Sequence, residues 1–336
     1  MPKVSIIVPI YGVENYIERC VRSLFEQTLD DVEFIFVDDC TIDRSIEILK
    51  LLLEEYDLHI KAMNWVVKID KMPINSGLPA ARRHGLRMAN GDYVIHCDSD
   101  DWVDKDMIRD MWSYANDNNF DVVVCDYNLV KKEDLIGFVG ALSEDAHGFF
   151  REILYCKSSW AIWNKMFRRS IYENNIIFPL PGMNMGEDMA VVIQLLYYCK
   201  TFGYIPKAYY NYCENPNSIT QSKSVERIID NYVQCAANVS ALENFFKKEK
   251  SNLVSNTDLR NLYYIITGSA LMVQIPTDVS NSCFIIKSIF KTWNCSFISK
   301  TGKLCMLYFI FNTIIKSIKV KLPHVIIPVE RQSLIN

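Results

Sequence analysis

Three carboxylates fall within four residues in the segment Asp98-Ser-Asp-Asp101, directly after an apolar stretch. Carboxylates this close repel one another and raise each other's pKa unless a cation neutralises them. A hard divalent ion such as Mg²⁺ or Mn²⁺, which shares its coordination with substrate phosphates, suits such oxygen ligands. Asp98 and Asp100 are two residues apart, so in an extended chain they face the same way. The alternative is an acidic turn in which Asp101 or Asp104 caps the next helix, and the residues alone leave both interpretations open.

A second acidic pair, Asp38-Asp39, follows the apolar stretch that ends at Val37, and an earlier apolar run ends at Pro9-Ile10-Tyr11. Neighbouring parallel strands end at the same edge of a sheet, and ligands usually bind there. A carboxylate at this edge can accept a hydrogen bond from a base N–H or a ribose hydroxyl. The ring of Tyr11 can stack on a base, although packing is the more common role of a single tyrosine. One site can therefore gather both acidic pairs.

Alternating strands and helices must position these side chains. β-branched and aromatic runs predict the strands, and apolar residues repeating every three to four positions predict the helices. The alternation predicts an α/β fold with a mostly parallel sheet flanked by helices. Beyond about Ser222 the pattern predicts helices only. The predicted strands are 4–8, 32–37, 93–97 and 122–125, and the predicted helices include 17–25, 46–53, 80–88 and 189–198.

Composition excludes several classes of protein. Half of the 336 residues are hydrophobic and the net charge is −4, so no overall charge favours nucleic acid as a partner. The eleven cysteines include no Cys-x-x-Cys pair, which argues against a zinc site and a disulfide framework and favours a reducing cytoplasm. The apolar run at 4–8 is too short for a signal peptide. No Gly-x-Gly-x-x-Gly follows the first strand, which disfavours a dinucleotide dehydrogenase.

The ordered motifs of residues 3 to 220 resemble glycosyltransferase family 2, whose members are inverting enzymes with the GT-A fold. Each motif occurs in the family order and at a familiar spacing. The resemblance rests on Val4-Ser-Ile-Ile-Val-Pro-Ile-Tyr11 with Glu14, Val37-Asp-Asp39 with Asp43, Asn75-Ser-Gly-Leu78 with Ala81-Arg82, Asp98-Ser-Asp-Asp-Trp102 and Gly186-Glu-Asp188.

The resemblance implies a role for each motif. Asp98 and Asp100 hold the ribose and the metal-bound diphosphate, Arg82 is a possible phosphate contact, and Asp188 is the general base. Glu187 is the alternative base, and capping of the helix that begins near Met189 is the alternative role of Asp188. The residues that surround the nucleoside are Pro9, Tyr11, Glu14, Asp38 and Asp39.

Other segments give weaker signals. Trp160-Ala-Ile-Trp163 resembles the family segment that leads toward the acceptor, although core packing is expected for at least one indole. The segment from Tyr210 to Ser218, with Tyr212 and Asn217, resembles the family's domain-closing loop. His96 is expected to be a hydrogen-bonded histidine of the sheet rather than a metal ligand.

The C-terminus is locally cationic. From Asn281 onward a single acid, Glu330, accompanies eight basic residues. The apolar run 304–311 falls short of the ~20 residues that a membrane span requires. A buried helix and peripheral contact with an anionic membrane therefore remain the two interpretations. The basic residues are Lys287, Lys291, Lys300, Lys303, Lys316, Lys319, Lys321 and Arg331.

The sequence thus predicts a GT-A domain at 1–220 and a helical region at 221–336. The predicted activity is inverting transfer of a hexosyl or N-acetylhexosaminyl group from a UDP-sugar, with Mn²⁺ or Mg²⁺, to a saccharide or lipid-linked acceptor. Bacterial surface polysaccharide synthesis at the cytoplasmic side of the membrane is the expected setting. The rival predictions are a metal-dependent nucleotidyl- or phosphotransferase and a nucleotide-sugar binding module without turnover.

Overall fold

The computed structural model describes residues 1–132, 134–175, 177, 179–180, 182–215, 225–259 and 261–262. Strands and helices alternate along most of this part of the chain. The strands are β1 (Val4–Ile10), β2 (Val32–Asp38), β3 (Val66–Lys71), β4 (Tyr93–His96), β5 (Trp102–Val103), β6 (Val122–Lys131), β7 (Asp134–Phe138), β8 (Lys165–Arg168) and β9 (Phe202–Cys213). The helices are α1 (Ile17–Phe25), α2 (Ser45–Glu55), α3 (Asp57–Ala62), α4 (Leu78–Met88), α5 (Met107–Asp117), α6 (Ala146–Leu154), α7 (Arg169–Asn175), α8 (Glu187–Tyr198) and α9 (Val225–Lys248).

One mixed sheet forms the centre of the molecule, with the strand order β3-β2-β1-β4-β8-β6-β9-β5 and with β7 paired to β6. The first four strands of this order run parallel, which confirms the predicted α/β fold with a mostly parallel sheet in this half. Strand β8 is antiparallel to both of its neighbours, β4 and β6. The loops after β1, β2 and β4 therefore open on the same edge of the sheet.

The two faces of the sheet bury separate apolar layers. Along β1, Ile6 and Val8 pack in the layer that contains α1 and α5, whereas Ile7 packs with α4 and α8. Alternate residues of an extended strand point to opposite faces, so a strand covered on both sides reads as a continuous apolar run. This burial explains why 4–8 and 32–37 were recognisable as strands, and it fixes the strand ends that carry the carboxylates.

Several parts of the sheet differ from the sequence prediction, which gave only β1, β2, β4 and the start of β6. Tyr210 and Tyr212 lie in strand β9, where the family resemblance indicated a closing loop. That placement was wrong for these two residues, because β9 gains ladder pairing from both β6 and β5. Strand β3 was not predicted, since its lysine-containing sequence is only partly buried at the sheet edge. Asn217 and Ser218 lie outside the described residues.

Helix α9 begins beyond the predicted domain boundary at 220. It packs against α8 and contributes Val239, Leu242 and Phe246 to the same apolar layer. The division into 1–220 and 221–336 stays a prediction, and the cationic C-terminus with its apolar run 304–311 lies outside the described residues. Among the helices that the structure describes, none is long and apolar enough to cross a membrane.

Candidate active site

The three carboxylates after β4 have different surroundings. Asp101 is fully buried, and its two carboxylate oxygens accept hydrogen bonds from the Tyr210 hydroxyl (2.6 Å) and the Cys213 backbone N–H (2.7 Å). Burial, and then the nearby charges of Asp100 and Asp98, raise the pKa of Asp101 well above its usual range. Asp101 therefore ties the acidic segment to β9 and does not face a ligand.

Asp98 and Asp100 are the partly exposed members of this segment. The backbone N–H of Asp98 donates to the Tyr210 hydroxyl at 3.0 Å, so one tyrosine holds both Asp98 and Asp101. Asp100 accepts a hydrogen bond at 2.8 Å from the side-chain amide of Asn215. The alternative that Asp101 caps α5 is wrong, since both of its oxygens bond elsewhere. The Asp104 side chain accepts from the Asp106 N–H at 3.0 Å directly before α5, whereas Asp106, at the N-cap position, makes no side-chain cap hydrogen bond.

Arg82 on helix α4 connects the acidic segment to the start of helix α8. Its Nη2 donates to Asp98 Oδ1 at 2.6 Å, and its Nη1 contacts the carboxylates of both Glu187 and Asp188. The guanidinium side chain is only 1% exposed. The residues predicted as donor-side carboxylate, phosphate contact and base therefore form one connected cluster.

Glu187 and Asp188 differ in exposure and in charge. The Glu187 side chain is 3% exposed, and burial raises its pKa well above the usual range although Arg82 opposes this. The Asp188 side chain is 20% exposed. Burial acts to raise its pKa, but Arg82, the contact with Glu187, His96 and the Ile162 N–H together outweigh burial, so the pKa of Asp188 is lowered. Asp188 is thus the ionised, accessible carboxylate of the pair.

Asp188 is not the cap of helix α8. The N-cap is Gly186, which has a left-handed backbone with φ of 76°, and the helix begins at Glu187. The second oxygen of Asp188 faces the backbone N–H of Ile162 at 3.4 Å. The capping alternative for Asp188 is therefore wrong, and the carboxylate lies between α4, α8 and the loop before β8.

Loops after β1 and β2 form the predicted nucleoside side of the site. The Glu14 backbone N–H donates to Asp43 (2.8 Å), and the Arg44 N–H donates back to the Glu14 carboxylate (3.0 Å). This reciprocal pair fixes the two loops against each other. Pro9 is buried at the end of β1, whereas the Tyr11 side chain is 48% exposed and available to a ligand.

Asp38 and Asp39 are both buried, and both hold loop backbone. One oxygen of Asp38 accepts from the Thr41 N–H at 2.8 Å. The two oxygens of Asp39 accept from the N–H groups of Ser76 and Gly77 at 2.7 Å each, which fixes the start of helix α4. Their predicted contact with the nucleoside stays a prediction; in this arrangement they hold the loop after β2 and the start of α4.

The sequence model of glycosyl transferase family 2 matches residues 5–176, which contain the carboxylates after β2 and β4 and the arginine of α4. The chain belongs to glycosyl transferase family 2. Among its relatives, the uncharacterized glycosyltransferase EpsJ of Bacillus subtilis (strain 168) is 31% identical over 233 residues. That match covers 66% of this chain and 64% of EpsJ, so the chain spans less than two thirds of the length of this relative.

Solved structures of this fold agree with the family assignment. TarS 1–349 of S. aureus, in complex with UDP-GlcNAc, superposes with a TM-score of 0.60 at 18% identity, covering 96% of this chain and 92% of TarS 1–349. The mannosyltransferase PcManGT of Pyrobaculum calidifontis, in complex with GDP-Man and Mn²⁺, gives 0.50 at 15% identity, covering 95% and 88%. At these identities the similarity shows the fold alone, and the fold is of the GT-A type.

A divalent ion fits this family 2 site only if a ligand completes its coordination. Within the described ranges, no group of three or more His, Cys, Asp or Glu side chains is arranged around a common metal position. Asp98 and Asp100 supply hard oxygen ligands, and Mg²⁺ typically takes one or two carboxylates and completes its shell with phosphates and waters. Burial raises the pKa of Asp98, and the charges of Asp188 and Asp100 add to the rise although Arg82 opposes it.

Two predictions beside the site have clear outcomes. Trp163 is 5% exposed and stacks on Tyr210 at 4.1 Å between ring centroids, which confirms core packing for this indole. His96 is 1% exposed, but within the described residues neither ring nitrogen has a hydrogen-bond partner, so the expectation of a hydrogen-bonded histidine was wrong. Burial, and then the charge of Arg82, lower the pKa of His96 to about 3 and keep the imidazole neutral.

Sequence reasoning did not assign site roles to Asn215 and Tyr210. Both reach the acidic segment from the end of β9, more than 100 residues away along the chain. No local pattern indicates such contacts. The only available signal was the proximity of Asn215 to the segment that resembles the family's closing loop.

Proposed function

We propose that this family 2 protein is an inverting glycosyltransferase that transfers a sugar from a UDP-sugar to a hydroxyl of a saccharide or lipid-linked acceptor. One observation carries the proposal: the ionised Asp188 is joined through a single buried guanidinium to Asp98. A candidate base and a candidate donor-side carboxylate therefore share one cluster. The UDP-GlcNAc bound to TarS supports a UDP-sugar as the donor.

In the proposed reaction, the partly exposed carboxylate of Asp188 accepts the proton of the acceptor hydroxyl as that oxygen attacks the anomeric carbon. The bond from the anomeric carbon to the diphosphate breaks, and its electron pair leaves with the nucleoside diphosphate. Attack on the face opposite the leaving group inverts the anomeric configuration. Glu187 is less suited to the same role, because its side chain is only 3% exposed to an acceptor and burial raises its pKa.

Asp98 and Asp100 would hold a divalent cation together with the diphosphate of the donor. Such an ion, when bound, stabilises the negative charge that develops on the leaving group. The Mn²⁺ present with GDP-Man in PcManGT supports the choice of ion. Asn215 holds Asp100 through its side-chain amide, which limits the positions that the carboxylate can take.

A thermal-shift panel of nucleotide sugars, with and without Mn²⁺, tests the donor. A ligand that binds the folded state raises its apparent stability by mass action, so UDP-sugars should raise the Tm and Mn²⁺ should increase the shift. Product analysis then tests the reaction class. Release of a nucleoside diphosphate supports glycosyl transfer, whereas pyrophosphate or inorganic phosphate would identify a nucleotidyl- or phosphotransferase. Binding without any product would leave a nucleotide-sugar binding module.

We place the reaction in bacterial surface polysaccharide synthesis at the cytoplasmic face of the membrane. The acceptor of TarS supports a surface polymer, since that relative is a poly(ribitol-phosphate) β-N-acetylglucosaminyltransferase, 32% identical over 127 residues. The cationic segment after Asn281 supports the membrane contact. Basic residues near an anionic surface contribute about 1 kcal/mol each, and salt screens this attraction.

The full chain should therefore sediment with vesicles that contain anionic phosphatidylserine at low salt and leave them at high salt. Vesicles of neutral phosphatidylcholine give the background. A variant with Lys316→Glu, Lys319→Glu and Lys321→Glu should lose the salt-sensitive fraction. Absence of sedimentation with anionic vesicles at every salt concentration would contradict membrane contact and favour the buried-helix interpretation.

A further inference from the structure

Arg82 gathers carboxylates from two separate parts of the chain. Asp98 follows strand β4, and Glu187 and Asp188 begin helix α8, which lies about ninety residues further along the chain. The guanidinium contacts all three through its two terminal nitrogens. One residue thus joins the predicted donor-side carboxylate to the predicted base.

The environment of Arg82 leaves little of it available to a ligand. The side chain is 1% exposed, and Nε is buried without a hydrogen-bond partner in the described part of the chain. A phosphate contact would require the guanidinium to leave at least one of its three buried or half-buried carboxylates, and breaking a buried ion pair is strongly unfavourable. The bidentate geometry of Arg also suits fixed carboxylates better than a Lys ammonium does.

We propose that Arg82 is a positioning residue, which fixes Asp98 and Asp188 relative to each other, and that it does not bind the donor phosphates directly. The expected effect on turnover rests on the proposed function, in which Asp188 is the base. The geometry of the cluster supports it independently of turnover.

The contact with Arg82 helps to fix the position of the Asp188 carboxylate. One oxygen of Asp188 faces Arg82 and the other faces the Ile162 N–H, so the carboxylate is held from two sides. Without the guanidinium, Asp98, Glu187 and Asp188 would repel one another, or some of them would take up protons. Either change moves or neutralises the base and disturbs Asp98, while the predicted nucleoside contacts of Pro9, Tyr11 and Glu14 stay in place.

A double-mutant cycle on UDP affinity separates positioning from direct phosphate contact. Arg82→Lys keeps the positive charge but not the planar fork, and Asp98→Asn keeps the shape of its side chain. UDP affinity is measured by calorimetry with Mn²⁺ for the wild type, each single variant and the double variant. If Arg82 acts through Asp98, Arg82→Lys should weaken UDP binding about tenfold in the wild type but less than about 3-fold in Asp98→Asn, because contacting residues are not additive.

The same logic applies to the base. With the UDP-sugar selected by the thermal-shift panel, Arg82→Lys should lower kcat about 10²-fold with a smaller change in KM. In an Asp188→Asn background the further loss of kcat should be under about 3-fold. Arg87 is an exposed arginine on the same helix, so Arg87→Lys is the matched control. This variant should retain wild-type UDP affinity and kcat.

Equal weakening of UDP binding by Arg82→Lys in both backgrounds, or none in either, would overturn the proposal; the first result would identify a direct phosphate contact. If Asp98→Asn binds UDP too weakly to measure, the test is the double-mutant cycle on kcat with Arg82→Lys and Asp188→Asn. Additive losses of kcat in that cycle would overturn the proposal. Circular dichroism confirms that each variant is folded. A wild type that binds UDP but releases no UDP from any donor contradicts the proposed function, while the affinity cycle still tests Arg82.

Discussion

Asp188→Asn should lower the rate of glycosyl transfer by roughly 10²-fold or more, while the affinity for the donor stays nearly constant. A residue that only removes the acceptor proton contributes to the transition state and little to the ground state. Asparagine keeps the size of the side chain and can still accept a hydrogen bond from the Ile162 N–H. The measurement is a steady-state kcat at saturating donor, together with the donor Kd from calorimetry.

Glu187→Gln is the matched control for Asp188→Asn. Both residues contact Nη1 of Arg82, so each substitution removes one acidic partner of the same guanidinium. Because Glu187 is almost completely buried and its pKa is raised, its replacement by a neutral amide should lower turnover far less. Near-normal turnover by Asp188→Asn would show that Asp188 is not the base. A larger loss of turnover in Glu187→Gln would identify Glu187 as the residue that accepts the proton.

Melting temperatures distinguish loss of the base from loss of structure. Asp188 does not cap helix α8, so the substitution leaves the helix start at Gly186 intact. Arg82 keeps its contacts with Asp98 and Glu187 in this variant. A modest decrease in Tm is therefore expected, and a folded protein with a selective loss of kcat supports the role of Asp188.

The parts of this fold that sequence reasoning recovered are those set by local patterns. Continuous apolar runs identified β1 and β2 because both faces of these strands are covered. The strands end at one edge of a parallel sheet, and the acidic residues after Val37 and Cys97 were therefore predictable as neighbours. This reasoning needs only the periodicity of the strand and the direction of the chain.

The parts that sequence reasoning missed depend on contacts between distant segments. The sequence offered a helix cap as the alternative role of Asp101, but Tyr210 and Cys213 bury it against β9. Likewise, helix periodicity placed Arg82 on α4 but gave no information about the carboxylates of α8, more than 100 residues later. A charged residue in a helix is usually solvated, so nothing local marks one that is buried among partners.

Asp100→Asn should abolish the Mn²⁺-dependent part of nucleoside diphosphate binding while leaving the fold intact. Asp100 is partly exposed and accepts a single described side-chain hydrogen bond, from Asn215, which an amide oxygen can also accept. Loss of an outer-shell partner of a metal typically costs about 10–100-fold in affinity, and loss of a direct ligand should cost at least as much. Calorimetric titration of UDP with Mn²⁺, and again with EDTA, measures the metal-dependent part directly.

Asp101→Asn is the control that separates metal binding from negative charge in the same segment. Its two oxygens are occupied by Tyr210 and Cys213, and its raised pKa makes the neutral amide a close substitute, so Mn²⁺-dependent UDP affinity should persist. With EDTA present, wild type and both variants should bind UDP alike, because the predicted nucleoside contacts of Tyr11 and Glu14 are unchanged. If Asp100→Asn retained the full Mn²⁺ effect, Asp100 would not be a metal ligand; if Asp101→Asn lost it as well, the segment would act through its total charge.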